Sequence, residues 1–390
     1  MSVSHARVSS SAASACAGPG EQVPGLLDVL ARVADPRQKR GRRFTLVFVL
    51  AVAVVCVLAG ARNFREAGDQ AADLPQDVLA ALGGRPHPLR RKIAAPSEKR
   101  IRTLLQGLDA DALDVVIGGW LRALAAAGRL DGLLTAIAVD GKWLRGVADG
   151  QVKLFAALLH EDKTVIAQHR IPDDTNKITQ VRELLDPVDL TGAVITADAA
   201  HAQHDTAAYI AGERRADYLL TVKGNQPGLQ RAIYGKISAE CGAGPDHTVM
   251  DYGHGRIIRR SIWVTSADGV DFPHAAQVMR IRRDTCDLDG TAIAKEIVHG
   301  ITSLDAVRGT PAVLAGLTRG QWGIESVHWI RDTAYAQDAS TGCAGNGPQV
   351  MATLRNIAIS LLHLAGITQI TRTLQAISRD RTRVLNVIPL

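Results

Sequence analysis

Three acidic residues sit where the surrounding pattern would favour an apolar or neutral side chain. Asp140 closes the apolar run "AIAVDGK", Asp198 closes "ITADAAHAQ", and Glu325 lies inside "QWGIESVHWI". Two strands that each finish on an aspartate can aim both carboxylates at one point. Trp322, Glu325 and Trp329 stand at i, i+3 and i+7, so a helix there predicts a carboxylate on an apolar, buried stripe. Burying an ionised carboxylate is costly unless it is paired or binds a cation. An ion pair with Arg319 or Arg331 would meet that need; so would convergence with the two aspartates around hard cations. Three gathered carboxylates suit phosphoryl transfer assisted by two Mg²⁺ ions about 4 Å apart, which would also relieve the repulsion among the acids.

The elements that must position these acids follow from hydrophobic period. Three short apolar runs, 133–144, 153–160 and 164–171, are separated by polar turns and read as an antiparallel meander. A helix follows over 176–188, with Ile178, Val181, Leu184 and Leu185 on one face. A strand over 193–199, a helix over 204–215 and a strand over 217–224 complete a mixed α/β order. That order predicts a ribonuclease-H-like core, 131–224 with 311–366, whose first and fourth strands are neighbours, so that Asp140 lies beside Asp198. No Gly-x-Gly-x-x-Gly or Walker loop accompanies it, which argues against a nucleotide-binding sheet.

Between 225 and 310 the period becomes strand-like, with runs at 256–266, 275–285 and 295–304, predicting a β-rich insertion. Its outward set is expected to carry Arg256, Arg259, Arg260, Arg280, Arg282 and Arg283.

The N-terminal third reads as helical and basic. Residues 1–22 are small and polar without an apolar centre, so they predict a disordered tail and not a signal peptide. A helical domain is expected over 23–130, with Ser97 as an N-cap, and a short tail over 367–390. The chain carries +6 overall, yet residues 36–102 alone hold 14 Lys and Arg against 5 Asp and Glu. This excess, centred on "RQKRGRR" with Arg40, Arg42 and Arg43, suits a nucleic-acid footprint, although a solvated face or anionic lipid would also accommodate it. The apolar run 44–61 is near the lower length for a membrane span; a core helix is the favoured reading. Five widely spaced cysteines, none in a Cys-x-x-Cys pair, read as reduced cytosolic thiols, so zinc and redox sites are not indicated.

Taken together, "DPRQKRGRRFTLVFVLAVAVVCVLAGARNF", "PSEKRIRTLL", "AVDGKWLRG", "ITADAAHAQ", "YLLTVKGNQP", "HGRIIRRS", "QWGIESVHWIRDTAY" and "GNGPQVMATLRNIAISLL" resemble the bacterial insertion-sequence transposases of the DDE type, in the group that includes the H-repeat-associated proteins. The resemblance runs in unbroken order from about Pro24 to Arg381. It implies DNA cleavage and strand transfer at terminal inverted repeats, dependence on Mg²⁺ with Mn²⁺ as a substitute, and double-stranded DNA, both repeat ends and target, as partner. It also implies a homo-oligomer on DNA and no membrane role. Asp140, Asp198 and Glu325 match the catalytic and metal-binding triad; Lys142 and Lys223 would suit phosphate contacts, His254 and Arg256 resemble DNA contacts of the insertion, and Arg319, six residues before Glu325 where related transposases place an arginine four before it, is read as a DNA contact. Related transposases place a lysine seven residues beyond the glutamate, where this chain has Asp332. On the same reading 44–61 is a buried helix, and a catalytically inactive DNA-binding descendant is the alternative. His201 and His204 are read as helix-entry, DNA-proximal residues, since Mg²⁺ prefers oxygen to imidazole.

Overall fold

The computed structural model describes residues 23–40, 42–128, 134–144, 152–253, 255–340 and 344–390. The chain begins with six helices: α1 (Leu26–Leu30), α2 (Leu46–Leu58), α3 (Phe64–Ala72), α4 (Gln76–Ala81), α5 (Glu98–Gly107) and α6 (Ala110–Ala127). Then come β1 (Thr135–Leu144), β2 (Val152–Leu159), β3 (Val165–Ile171), α7 (Val181–Leu185), β4 (Ala193–Ala197), α8 (His204–Ala207) and β5 (Asp217–Val222). A further block holds α9 (Pro227–Glu240), β6 (His247–Gly253), β7 (Arg256–Ser266), β8 (Gln277–Asp287) and β9 (Ala292–Thr302). Four helices close the chain: α10 (Pro311–Gln321), α11 (Gly323–Thr333), α12 (Gly347–Leu364) and α13 (Ile370–Arg379).

The run expected as a core helix is α2. Thr45 caps it by accepting from the Phe48 amide, and all but one of its thirteen residues are buried. A helix apolar all round must be enclosed on all sides; α1, α3 and α12 supply the walls. Among the described residues no helix is long and apolar enough to cross a membrane. α12 joins the same core, buried continuously from Gly347 to Leu362. The segment expected as a C-terminal tail instead forms α13 and a short 3₁₀ turn. Leu374, Ile377, Val384 and Ile388 sink into the helical core, and the Leu26 amide donates to the Pro389 carbonyl at 2.7 Å. Its apolar spacing was the missed signal. Ser97 occupies the N-cap position of α5 without a side-chain capping bond.

All nine strands form one sheet, ordered β3-β2-β1-β4-β5-β9-β8-β7-β6. β1 and β4 are parallel neighbours, as the strand order required, with Val139 opposite Ala197. The strands after β5 do not form a separate layer: β9 pairs antiparallel with β5, Thr221 opposite Gly300, and carries the same sheet outward. One face therefore runs without a break from Ala136 and Ala138 through Val194, Thr196, Leu219 and Thr221 to Ile262 and Ile281, with α10 packed across it.

The arginines of the added strands are not one outward set. Register puts Arg260 opposite Arg283 on this shared face, while Arg259, Arg280 and Arg282 point to the other, where Arg280 stacks 4.2 Å over the Trp263 ring. Neighbouring residues of a strand face opposite ways, so runs such as Arg259-Arg260 must divide between the faces.

Candidate active site

The parallel register sets the first contact. Val139 and Ala197 are the last pair of the β1–β4 ladder, and Asp140 and Asp198 come directly after them, side by side at its end. β1 does not end at Asp140, as the sequence suggested, but continues to Leu144 against β2. Only its partnership with β4 ends there. Lys223, just past β5 on the same face, stands exposed along the same edge.

Glu325 comes from α11, and here the expected stripe is corrected. Ile324, Val327 and Arg331 form the buried face, while Trp322, Glu325 and Trp329 are exposed, the two indoles at 50% and 65%. The glutamate is tolerated because it and Trp322 border an open cleft. Neither expected arginine is its partner. Arg319 pairs with Asp251 at 2.9 Å, and Arg331 is enclosed, donating to Gln337 at 2.8 Å and Asn356 at 3.3 Å. The cleft, about 1050 Å³, is lined by Asp140, Asp198, Lys223 and Glu325 at one end and by Arg260, Arg283 and Arg319 towards the other.

Electrostatics link the three acids. Partial burial raises the Glu325 pKa, the charges of Asp140 and Asp198 raise it further, and Lys223 opposes them. Burial likewise pushes Asp140 up. Asp198 goes the other way: burial disfavours its charge, but the hydrogen bond and charge of Lys177 prevail and hold it below the usual carboxylate value. Lys177 Nζ donates to Asp140 Oδ1 at 3.1 Å and to Asp198 Oδ2 at 2.6 Å, bridging the pair. Burial works against the ammonium, yet the two carboxylates raise its pKa overall. Among the described residues, no three His, Cys, Asp or Glu side chains are arranged to enclose a metal ion as they stand.

Two histidines flank the acids. His201 Nε2 is 4.0 Å from Asp198 Oδ1, and His328 Nδ1 is 4.0 Å from Asp140 Oδ2. Burial depresses the His201 pKa to about 4 and the His328 pKa to about 3, so both are neutral at pH 7. His201 is fully buried and stacks on Phe155, centroids 5.2 Å apart, so it supports the Asp198 turn from behind and is not a surface group. His204 is exposed, edge-on to Phe272.

The basic candidates occupy different settings. Lys142 is turned inward, its side chain 10% exposed, and pairs with Asp332 at 2.6 Å and Asp338 at 3.7 Å. Arg42 pairs with Asp35 at 3.3 Å, Arg43 lies 5.4 Å over the Phe44 ring, and Arg40 is exposed. Arg256 is exposed at the start of β7. His254 lies outside the described residues. Lys177, His201 and His328 carry the surroundings of the acids, yet nothing in their spacing announced it: Lys177 is in a loop, and His328 is placed only by the helical turn that follows Glu325.

Comparison with known proteins identifies the family. Residues 135–361 match the family model described as "Transposase DDE domain", and residues 27–121 match one described as "DDE_Tnp_1-associated". Among relatives, "Putative transposase YncI" of Escherichia coli O157:H7 is 27% identical over 360 residues, 87% of each chain. "H repeat-associated putative transposase YhhI" of Escherichia coli strain K12 is 25% identical over 356 residues, 86% of this chain and 90% of its own. A solved piggyBac transposase, in a synaptic complex with hairpin DNA, is 11% identical, covers 93% of this chain and 76% of its own, and has a TM-score of 0.41, too distant to bear on the site. A DDE-domain match spanning more than half of the sequence decides the matter: the chain belongs to the DDE transposase family.

Proposed function

We propose that this transposase cuts DNA at the ends of an insertion sequence and joins the freed 3′ ends to target DNA, with Asp140, Asp198 and Glu325 as the catalytic carboxylates. The observation that carries the reading is the juxtaposition of Asp140 and Asp198, which follow the last paired residues of β1 and β4 and share the Lys177 ammonium, with Glu325 lining the same end of the cleft. The first five strands, ordered β3-β2-β1-β4-β5 with β1 parallel to β4, support a ribonuclease-H-like core over 131–224 and 311–366, preceded by an associated helical domain over 23–130. On this reading residues 225–310 form the insertion, built as an extension of the core sheet.

The acids suit Mg²⁺ or Mn²⁺. All three donors are carboxylate oxygens, the set hard divalent ions prefer, and the ammonium of Lys177 already stands as a cation between two of them. Asp140, Asp198 and Glu325 would hold the ions, which would supply activation of the attacking oxygen and stabilisation of the leaving one. The chain's own part is positional. β1 and β4 fix two carboxylates on a rigid sheet edge, α11 brings the third, and Trp322 gives the cleft wall a flat apolar surface. Lys223 and the exposed Arg256 offer charge to the phosphate backbone, as do Arg40 and Arg43 on the helical part; such contacts set affinity and register and do not read sequence. Repeat ends and target DNA both need a seat, which suits a homo-oligomer.

A supercoiled plasmid carrying the terminal repeats, incubated with Mg²⁺, tests the proposal. The parent nicks it and Asp140→Ala does not. A second reading, a DNA-binding descendant that no longer cuts, is favoured by one observation: Lys177 already neutralises the aspartate pair. It would be adopted if parent and variant both retard the DNA and neither nicks it.

A further inference from the structure

Two like charges side by side at the end of a ladder repel one another unless something lies between them. Here that object belongs to the protein. Lys177 reaches in from the loop after β3 and bridges Asp140 Oδ1 and Asp198 Oδ2 at 3.1 and 2.6 Å, with its side chain only 25% exposed. Its stem has a prepared seat. Residue 141 on β1 is glycine, and a Cβ there would stand 3.3 Å from Lys177 Cδ and 3.8 Å from Lys177 Cβ, so the bare backbone accepts the aliphatic chain.

We propose that Lys177 is a resident cation: it holds Asp140 and Asp198 together before a divalent ion arrives, and it must leave for that ion to bind. The inference rests on the reading of these aspartates as metal ligands. Metal loading becomes an exchange of one cation for another, and only the lysine-free fraction of molecules is open to the ion. Apparent affinity is lowered by that fraction. The lysine also explains how the two carboxylates remain adjacent: one ammonium bridges them.

The test is Mn²⁺ binding to the full chain, measured by isothermal titration calorimetry and by thermal shift, for the parent and for Lys177→Met and Lys177→Gln. If the lysine-free form is about a tenth of the parent population, both variants bind Mn²⁺ about tenfold more tightly. Without metal they melt below the parent, and Mn²⁺ raises their Tm by more than it raises the parent's. Adding Asp198→Asn to Lys177→Met abolishes the gain and so places it at this pair. Acetylation of the unmodified parent, followed by mass spectrometry, reads the exchange without any substitution: Mg²⁺ makes Lys177 more reactive while exposed lysines such as Lys99 stay constant. Equal or weaker Mn²⁺ binding by the variants, or a Lys177 whose acetylation ignores Mg²⁺, overturns the proposal and leaves the metal site standing. Absence of Mn²⁺ binding in the parent and in both variants overturns the proposal and the metal-site reading together.

Discussion

Lys142 Nζ, on β1, lies 2.6 Å from Asp332 Oδ2, on α11. The pair ties the strand that carries Asp140 to the helix that carries Glu325, and Asp338 adds a second carboxylate at 3.7 Å. Removing the lysine leaves two partly buried acids facing each other. Lys142→Met is therefore expected to destabilise the protein by about 1–3 kcal/mol, read from urea unfolding, and to slow cleavage by loosening α11 against β1. Unchanged stability with weakened DNA binding would instead make Lys142 a phosphate contact.

The three acids are expected to act as a unit. Asp140→Asn, Asp198→Asn and Glu325→Gln should each reduce plasmid nicking by about a thousandfold or more while DNA retardation persists. Any double variant should lose little beyond the single ones, because groups that act together are strongly non-additive. Additive losses would mean that Glu325 works independently of the aspartates.

The basic N-terminal segment predicts a measurable salt dependence. Arg42 is engaged by Asp35, whereas Arg40 is exposed and Arg43 lies over an aromatic ring, its charge unpaired by that contact. With two phosphate contacts removed at about 0.9 each, Arg40→Ala with Arg43→Ala should flatten the log affinity against log salt slope by about 1.8. Adding Arg42→Ala should change it little further. Retardation assays across a salt series measure both.

A pH dependence of stability follows from Asp114. This carboxyl is buried between α6, β3 and α12, where it accepts from Gln168, Gln349 and Thr353. Burial raises its pKa from 3.8 to about 7 against those hydrogen bonds. The folded state thus keeps a proton that the unfolded chain releases near 3.8, so stability falls as pH rises from about 4 to 7 by up to about 1.4 kcal/mol per unit. Asp114→Asn should flatten that window, with urea midpoints taken between pH 4 and 8 as the check.

Adjacent glycines of α6 should respond oppositely to alanine. A Cβ at Gly118 would lie 2.3 Å from the Ile166 carbonyl oxygen, forcing α6 away from β3, whereas at Gly119 nothing lies within 4 Å. Gly118→Ala should cost about 1–3 kcal/mol, and Gly119→Ala should stabilise by roughly 0.5–1 kcal/mol. Thermal melts of the two variants decide it.

The sequence carried the alternating strands, the adjacency of β1 and β4 and the burial of α2, because period and uniform apolarity express themselves locally. It also brought Asp140 and Asp198 side by side through strand order alone. The orientation of α11 was not legible: two tryptophans beside Glu325 imply a buried face by composition, but the apolar stripe that is buried runs through Ile324 and Val327. Trp322 borders a cleft that only the assembled sheet and α10 create. Lys177 escaped notice for a related reason: the period placed it in a helix over 176–188, whereas α7 begins only at Val181 and leaves it in a loop, 37 positions from Asp140 and 21 from Asp198. The arginines of β7 and β8 were visible as composition, while their division between two faces required the register.

The central claim is that Asp140, Asp198 and Glu325 gather around divalent cations. Diffraction from crystals grown with Mn²⁺, recorded at the manganese absorption edge, addresses it most directly. An anomalous peak between the Asp140 and Asp198 carboxylates, with Glu325 drawn towards it and Lys177 moved aside, is the predicted result. An empty position with Lys177 still bridging the aspartates in saturating Mn²⁺ would contradict it.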